Sequence, residues 1–295
     1  MPPPPIKANL LLVGRWGILP KYNKGKHEQI IYYRKIFLRM FYMNINEISA
    51  IDIHNHYNHG ARHDSEVNPI YECNLDFLKM TYDAANVQIG FFTTFSSVNS
   101  PEDVEEENIY NFELSQQYDW FYTWTVIEPR SERTFAQARK MLNYKKCAGI
   151  KIDPPAHEYQ ITDADYADRI FSIADEYGAA VLMHPDNLYE VPAFADKYRN
   201  MRLIIAHLGT VEHVDTIAKA KYGNIFTDTS GSASFNNNVV EYAVKKVGSD
   251  KIFFGTDSYS TAFQRGRIEY APISEKDKLN ILRDNALREF PMIKL

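Results

Sequence analysis

The sequence predicts an α/β protein of the (β/α)8 TIM-barrel type, and three observations lead there. From residue 48 onward, short β-rich runs alternate with longer helical stretches eight times, in about 245 residues, the size of one such barrel. Several runs are continuously apolar, as in Ala179-Ala180-Val181-Leu182-Met183 and Arg202-Leu203-Ile204-Ile205-Ala206. That is the pattern of parallel strands covered on both faces. Polar residues recur where the runs end, and barrel chemistry gathers at the carboxyl ends of strands. An open doubly wound sheet is the alternative. No Gly-x-Gly-x-x-Gly follows the first strand, so a dinucleotide fold has little support.

The expected elements follow in order. A first strand over 49–54 leads to a helix over 74–85, with Asn74 as its cap and Leu75, Leu78 and Tyr82 on one face. Strands over 87–93, 121–127 and 147–152 come next. A helix over 163–177 carries Tyr166, Ile170, Ile173, Ala174 and Tyr177 at helical spacing and stops at Gly178. Strands over 179–184, 202–207, 224–228 and 251–255 complete the set. The closing helix, 274–290, starts at Ser274 with Asp277 three residues on, a capping-type start. One domain is thus expected over 48–295, with residues 1–47 an extension outside it.

That extension differs from the rest. Pro2-Pro3-Pro4-Pro5 favours an extended conformation. Residues 29–43 are basic and aromatic-rich, which suits a membrane-surface or oligomerisation helix. The simpler expectation is that native translation begins at Met43. Residues 1–42 hold eight Lys or Arg against the single acid Glu28, a net +7, and the remainder carries −12. An acidic body argues against a nucleic-acid partner, which needs a basic face. No apolar run approaches the roughly 20 residues that span a bilayer, so no membrane partner is expected. The run Leu10–Val13 lacks a small-residue cleavage pattern, which argues against a secretory signal. Two cysteines, Cys73 and Cys147, make no disulfide framework. The expected compartment is the cytoplasm, with both thiols buried as small apolar groups.

The chemistry-bearing residues stand at the strand ends. Strand 1 ends in His54 and His56, and side chains at i and i+2 on a strand share a side. Strand 4 carries Lys151 and is followed by Asp153. Strand 5 ends at His184, strand 6 at His207, strand 7 at Asp228 and strand 8 runs to Asp257. Four imidazoles and a carboxylate brought to one barrel mouth make a metal site. Neutral imidazoles with a carboxylate suit Zn2+, with Mn2+ or Fe2+ as alternatives. The other histidines, His27, His59, His63, His157 and His213, fall in expected loops or helices and read mostly as solvated.

These residues form an ordered set: Asp52-x-His54-x-His56, Gly149-x-Lys151, His184-Pro185, His207-x-Gly209, Gly255-Thr256-Asp257 and a closing Asn285–Phe290 helix. The set, spanning roughly 48–290, resembles the amidohydrolase superfamily in its amidohydrolase-related (family 2) branch. That branch includes aminocarboxymuconate-semialdehyde decarboxylase-like enzymes, dicarboxylate lactonases and resorcylate-type decarboxylases. The resemblance implies one divalent metal held by His54, His56, His184 and Asp257, with a water in the open position. Such a metal lowers the pKa of its water toward ~7. Asp257 then moves the proton, and His207 acts as acid, base or orienting group. In binuclear relatives a strand-4 lysine is carboxylated and bridges two metals, whereas one metal is typical of this branch. The family often has His where this chain has Asp153, which leaves that residue either facing the site or forming a turn.

The activity so implied is hydrolysis of a C–O or C–N bond in a small, carboxylate-bearing molecule. Non-oxidative decarboxylation on the same ligands is the alternative, and a non-catalytic barrel with a structural metal is a third reading. Carboxylates suit bidentate arginine, for which Arg62, Arg130 and Arg265 are candidates, with Lys151 beside them. Phe95, Trp124 and Tyr259 lie near strand ends and are candidate pocket walls. The resemblance also implies a homodimer.

Overall fold

A computed structural model describes residues 45–59, 73–163 and 165–295. The expectations for residues 1–44, Arg62, His27 and His63 lie outside the described residues, whereas Ile45–Glu47, expected in the extension, form a 3-10 turn whose Ile45 packs with the core. Eight strands, β1 (Ala50–Tyr57), β2 (Val87–Thr94), β3 (Phe121–Val126), β4 (Cys147–Ile152), β5 (Ala180–Met183), β6 (Arg202–Ile205), β7 (Ile225–Asp228) and β8 (Ile252–Phe253), form one parallel sheet in sequential order. The last returns to the first: Ile53 N–H donates to the Phe254 carbonyl at 3.0 Å, and Asp257 N–H to the His54 carbonyl at 2.8 Å. Helices fill the connections, and the result is a (β/α)8 barrel.

The local signals act as their chemistry predicts. Asn74 accepts from Phe77 N–H at the start of the helix Leu75–Ala84. Gly178 ends the helix Tyr166–Tyr177 in the left-handed region, at φ 57°. Ser274 and Asp277 form a reciprocal capping box, and a π-helical stretch, Asn280–Asp284, interrupts the closing helix before Asn285–Glu289. Cys73 and Cys147 are both buried. Among the described residues, no helix is long and apolar enough to cross a membrane.

The lumen is packed by Ile51, Ile53, Phe91, Trp124, Leu182, Ile204, Phe226 and Phe253, with Phe290 plugging from the closing helix. Alternate strand residues face the helices instead, as Val181, Leu203 and Ile225 do. Strict alternation from Ile51 and Ile53 would bring Asn55 and Tyr57 into the lumen. The register of β1 against β2 slips between Asp52 and Asn55. Above the slip, Tyr57 packs outward with Phe92 and Phe121, and His54 and His56 take the lumen side. An extra residue of this kind re-aims a strand. Strand β4 has its own break at Gly149, φ 155°, where a Cβ would lie 2.2 Å from the Ala180 carbonyl oxygen and 2.9 Å from Trp124. Only glycine fits that approach, and it turns Lys151 inward above the Trp124 layer.

Candidate metal centre

Six side chains meet at the carboxyl end of the barrel. His54, His56 and Asp257 offer ligand atoms within 4.8 Å of one another, and so do His54, His184 and His207. His56 Nε2 lies 3.2 Å from Asp257 Oδ1, His54 Nε2 3.8 Å from the same oxygen, and His207 Nε2 3.7 Å from Oδ2. Lys151 Nζ reaches His54 Nε2 at 2.7 Å and His184 Nε2 at 3.4 Å.

Each imidazole is anchored through its other nitrogen. His54 Nδ1 faces Asp228 Oδ2 at 3.0 Å, and His184 Nδ1 faces Asp153 Oδ2. His56 Nδ1 pairs with the Thr93 hydroxyl at 2.6 Å, and His207 Nδ1 with the Ser230 carbonyl at 3.1 Å. A ring that donates from Nδ1 presents its Nε2 lone pair to the centre, and such outer partners fix tautomer and orientation. Two rings are therefore backed by carboxylates and two by neutral oxygens. Asp153 faces the site as the support of His184.

Backbone conformation helps to aim the cluster. His207 and Asp257 hold φ of 63° and 54°, and Ser258 follows at 60°. Non-glycine residues rarely occupy this region, and they concentrate where a structure over-determines them. At β6 the left-handed turn points His207 inward while Leu208 packs among the outer apolar residues. Asp52 pins the same region from outside the barrel. It is fully buried and accepts from His54 N–H (3.0 Å), Thr256 N–H (3.1 Å), Tyr82 Oη–H (2.6 Å), Asn55 Nδ2 (3.2 Å) and the Thr256 hydroxyl.

The electrostatics favour neutral rings beside an ionised carboxylate. Burial, reinforced by the Lys151 charge, lowers His184 to about 4 and holds His54 well below the ordinary histidine value. Burial also lowers His56. For Asp257, burial acts upward, but His56, His54 and His207 outweigh it and keep the carboxyl far below its usual range. Burial brings Lys151 down to about 8. Neutral nitrogen donors with one anionic oxygen are the donor chemistry of a divalent transition metal.

The remaining candidates sit elsewhere. Arg265 is a correction. Its guanidinium donates to the carbonyls of Ile45, Ile48 and Asn86 at the amino ends of β1 and β2 and pairs with Glu269, so it braces the far end of the barrel. Arg130 bonds to Glu128 and to the His157 carbonyl, tying two rim loops together. His157 is fully buried, contrary to its expected solvation, with Nε2 on the Ser97 carbonyl at 3.1 Å and Nδ1 3.3 Å from Glu128 Oε2. Trp124 is lumen core, with its indole N–H on the Ile53 carbonyl. Phe95 does stand at the cluster, 5.2 Å from the His56 ring, and Tyr259 joins Phe235 on the rim.

The rim network yields an acid-stability prediction. Burial acts to raise Glu128, but hydrogen bonds from His157 and Arg130 win and bring it down to about 2 from 4.5. A depressed carboxylate contributes stability above its unfolded value and loses it as pH falls through the folded one. Glu128→Gln is expected to be less stable than the parent at pH 7, with the gap closing between pH 4.5 and 2 in urea titrations. A gap independent of pH would clear Glu128 of this role.

The ligand-type residues, the barrel and the order of the strand ends agree with a sequence match. The family profile described as Amidohydrolase matches residues 51–292. The chain belongs to the amidohydrolase family. Solved structures share its fold at low identity. The 2,6-dihydroxybenzoate decarboxylase from Rhizobium is 13% identical with a TM-score of 0.66, over 83% of this chain and 99% of that one. A dihydroxybenzoic acid decarboxylase from Polaromonas, solved with manganese and 2-nitroresorcinol, is 15% identical at 0.66, over 84% and 98%. A putative 2-pyrone-4,6-dicarboxylic acid hydrolase from Pseudomonas putida is 15% identical at 0.62, over 84% and 100%. No curated protein matches this amidohydrolase by sequence.

Proposed function

We propose that this amidohydrolase is a divalent-metal-dependent hydrolase of a C–O or C–N bond in a small, carboxylate-bearing molecule. The observation that carries the reading is the shared aim of the rings: every Nδ1 is anchored outward and every Nε2 meets Asp257 or Lys151 at the centre. His54, His56, His184 and Asp257 would hold the ion, with Zn2+, Mn2+ or Fe2+ all compatible with the donors. When bound, the ion supplies Lewis-acid polarisation of a carbonyl and an acidified water. Asp257, held ionised, accepts a proton from the attacking water and returns it to the leaving group. His207, with Nε2 3.7 Å from Asp257 Oδ2, stands where it orients that water or steadies the oxyanion. Lys151, whose Nζ contacts His54 and His184, would give up those contacts when an ion is held there, and its pKa, brought down to about 8 by burial, makes its neutral form accessible at mild pH.

Decarboxylation on the same residues is the second reading. It is favoured by the Rhizobium and Polaromonas proteins, both decarboxylases. There a proton must reach the substrate carbon as CO2 leaves, relayed through Asp257 or His207.

One experiment separates these outcomes. The purified chain is stripped with chelator, reloaded with Zn2+ or Mn2+, and offered lactones, amides and hydroxybenzoates while CO2 is monitored. About one ion per chain and new acid without CO2 supports the hydrolase; CO2 release selects the carboxy-lyase. A chain that binds no divalent ion, before or after reloading, ends both readings.

A further inference from the structure

We infer that Ser230 is a positioning residue whose single hydroxyl locks the rings of His54 and His207 into one tautomer at a fixed separation. Its catalytic meaning rests on the metal-dependent reading above; the lock itself rests on hydrogen-bond geometry.

Ser230 lies two residues beyond the end of β7 and is fully buried. Its Oγ donates its only proton to Asp228 Oδ1. The same Oγ lies 2.9 Å from His54 Nδ1 and 2.9 Å from His207 Nδ1. With its proton already given, the hydroxyl has only lone pairs to offer these two nitrogens. Both rings must therefore carry the proton on Nδ1. The second partner of each nitrogen demands the same: Asp228 Oδ2 at 3.0 Å from His54, and the Ser230 carbonyl at 3.1 Å from His207, are acceptors only. Three protons thus meet acceptors with no acceptor left facing another.

The support is rigid. Ser230 N–H donates to Asp228 Oδ1 at 2.8 Å, so carboxylate, hydroxyl and backbone act as one unit. Gly231 follows at φ 72°, where a Cβ would lie 2.8 Å from His207 Nδ1 and 3.4 Å from Asp257 Oδ2. The chain passes that close beneath the ring because no side chain intervenes. The two imidazoles stack at 5.0 Å between centroids and 23° between planes. Ser230 thereby couples a proposed metal ligand to the proposed proton-handling residue, which share no direct hydrogen bond.

The test is run on full-length protein with 15N-labelled histidine. In the metal-free parent, His54 and His207 should each show a single Nδ1–H tautomer. In Ser230→Ala, where Asp228 and the residue-230 carbonyl still hold the protons on Nδ1, both Nδ1–H signals should shift and broaden as the rings lose their shared acceptor, and Mn2+ or Zn2+ affinity should fall about tenfold, the scale of losing an outer partner. Ser230→Thr, which keeps the hydroxyl, should restore both. The lock is overturned if parental His207 carries its proton on Nε2, or if Ser230→Ala keeps parental imidazole signals and metal affinity. A parent with the expected tautomers that binds neither ion leaves the lock standing and overturns the functional reading instead.

Discussion

Asp257→Asn is expected to lower turnover about 10²–10⁴-fold, the range for losing a positioned acid–base group. The amide keeps the shape and one oxygen, so the fold should survive, as read by circular dichroism. What is lost is the anionic charge of a carboxylate whose Oδ1 faces His54 and His56 and whose Oδ2 faces His207. Metal content, measured on the same preparations by inductively coupled plasma mass spectrometry, should drop with it. Retention of both full turnover and the parental metal load would show that Asp257 neither ligates nor moves a proton. Retained metal with lost turnover would confine it to the proton role.

The second large effect concerns stability. Asp52→Ala removes one acceptor from five donors that come from β1, from the helix Leu75–Ala84 and from the chain beyond β8. Each buried donor left unpaired costs about 1–3 kcal/mol. The expected loss is therefore about 3 kcal/mol or more in urea unfolding, with Asp52→Asn milder because its carbonyl still accepts. A loss under about 1 kcal/mol would mean that water or a rearranged Tyr82 satisfies these donors. Because His54 N–H is among them, the alanine variant should also weaken metal binding.

Much of this was legible in the sequence because it is local. Apolar runs mark strands, Asn74 and Ser274 announce helix starts, and His54 and His56 share a side by spacing alone. What the sequence hid is non-local. Asp228 meets His54 across 174 positions, and Ser230 meets it across 176. The residues were visible at the end of strand 7, but nothing in their spacing pointed to a partner on strand 1. The sequence leaves Asp153 between two roles because the choice depends on His184, 31 residues on. Arg265 misled for a directional reason. It follows a strand end, but its helix runs back down the barrel and carries the guanidinium to the opposite face. His157 misled by location, since a loop residue is usually solvated, yet this loop folds over the rim and buries the ring on Ser97. The pairing of Arg130 with Glu128, two residues away, is by contrast one that sequence distance suggests.

The register slip in β1 makes the strand a message read in two frames. Below it, Ile51 and Ile53 contribute to the apolar filling of the lumen; above it, His54 and His56 contribute to the polar cluster. Straightening the slip into regular alternation, with no residue lost, would join the frames and leave every amino-acid type near the mouth unchanged. Both histidines would then turn toward the helices, with Asn55 and Tyr57 in the lumen. The polar layer at the mouth of this barrel is thus defined by phase as much as by composition, and a chain with all of its donors can still be emptied of its site by a shift of one.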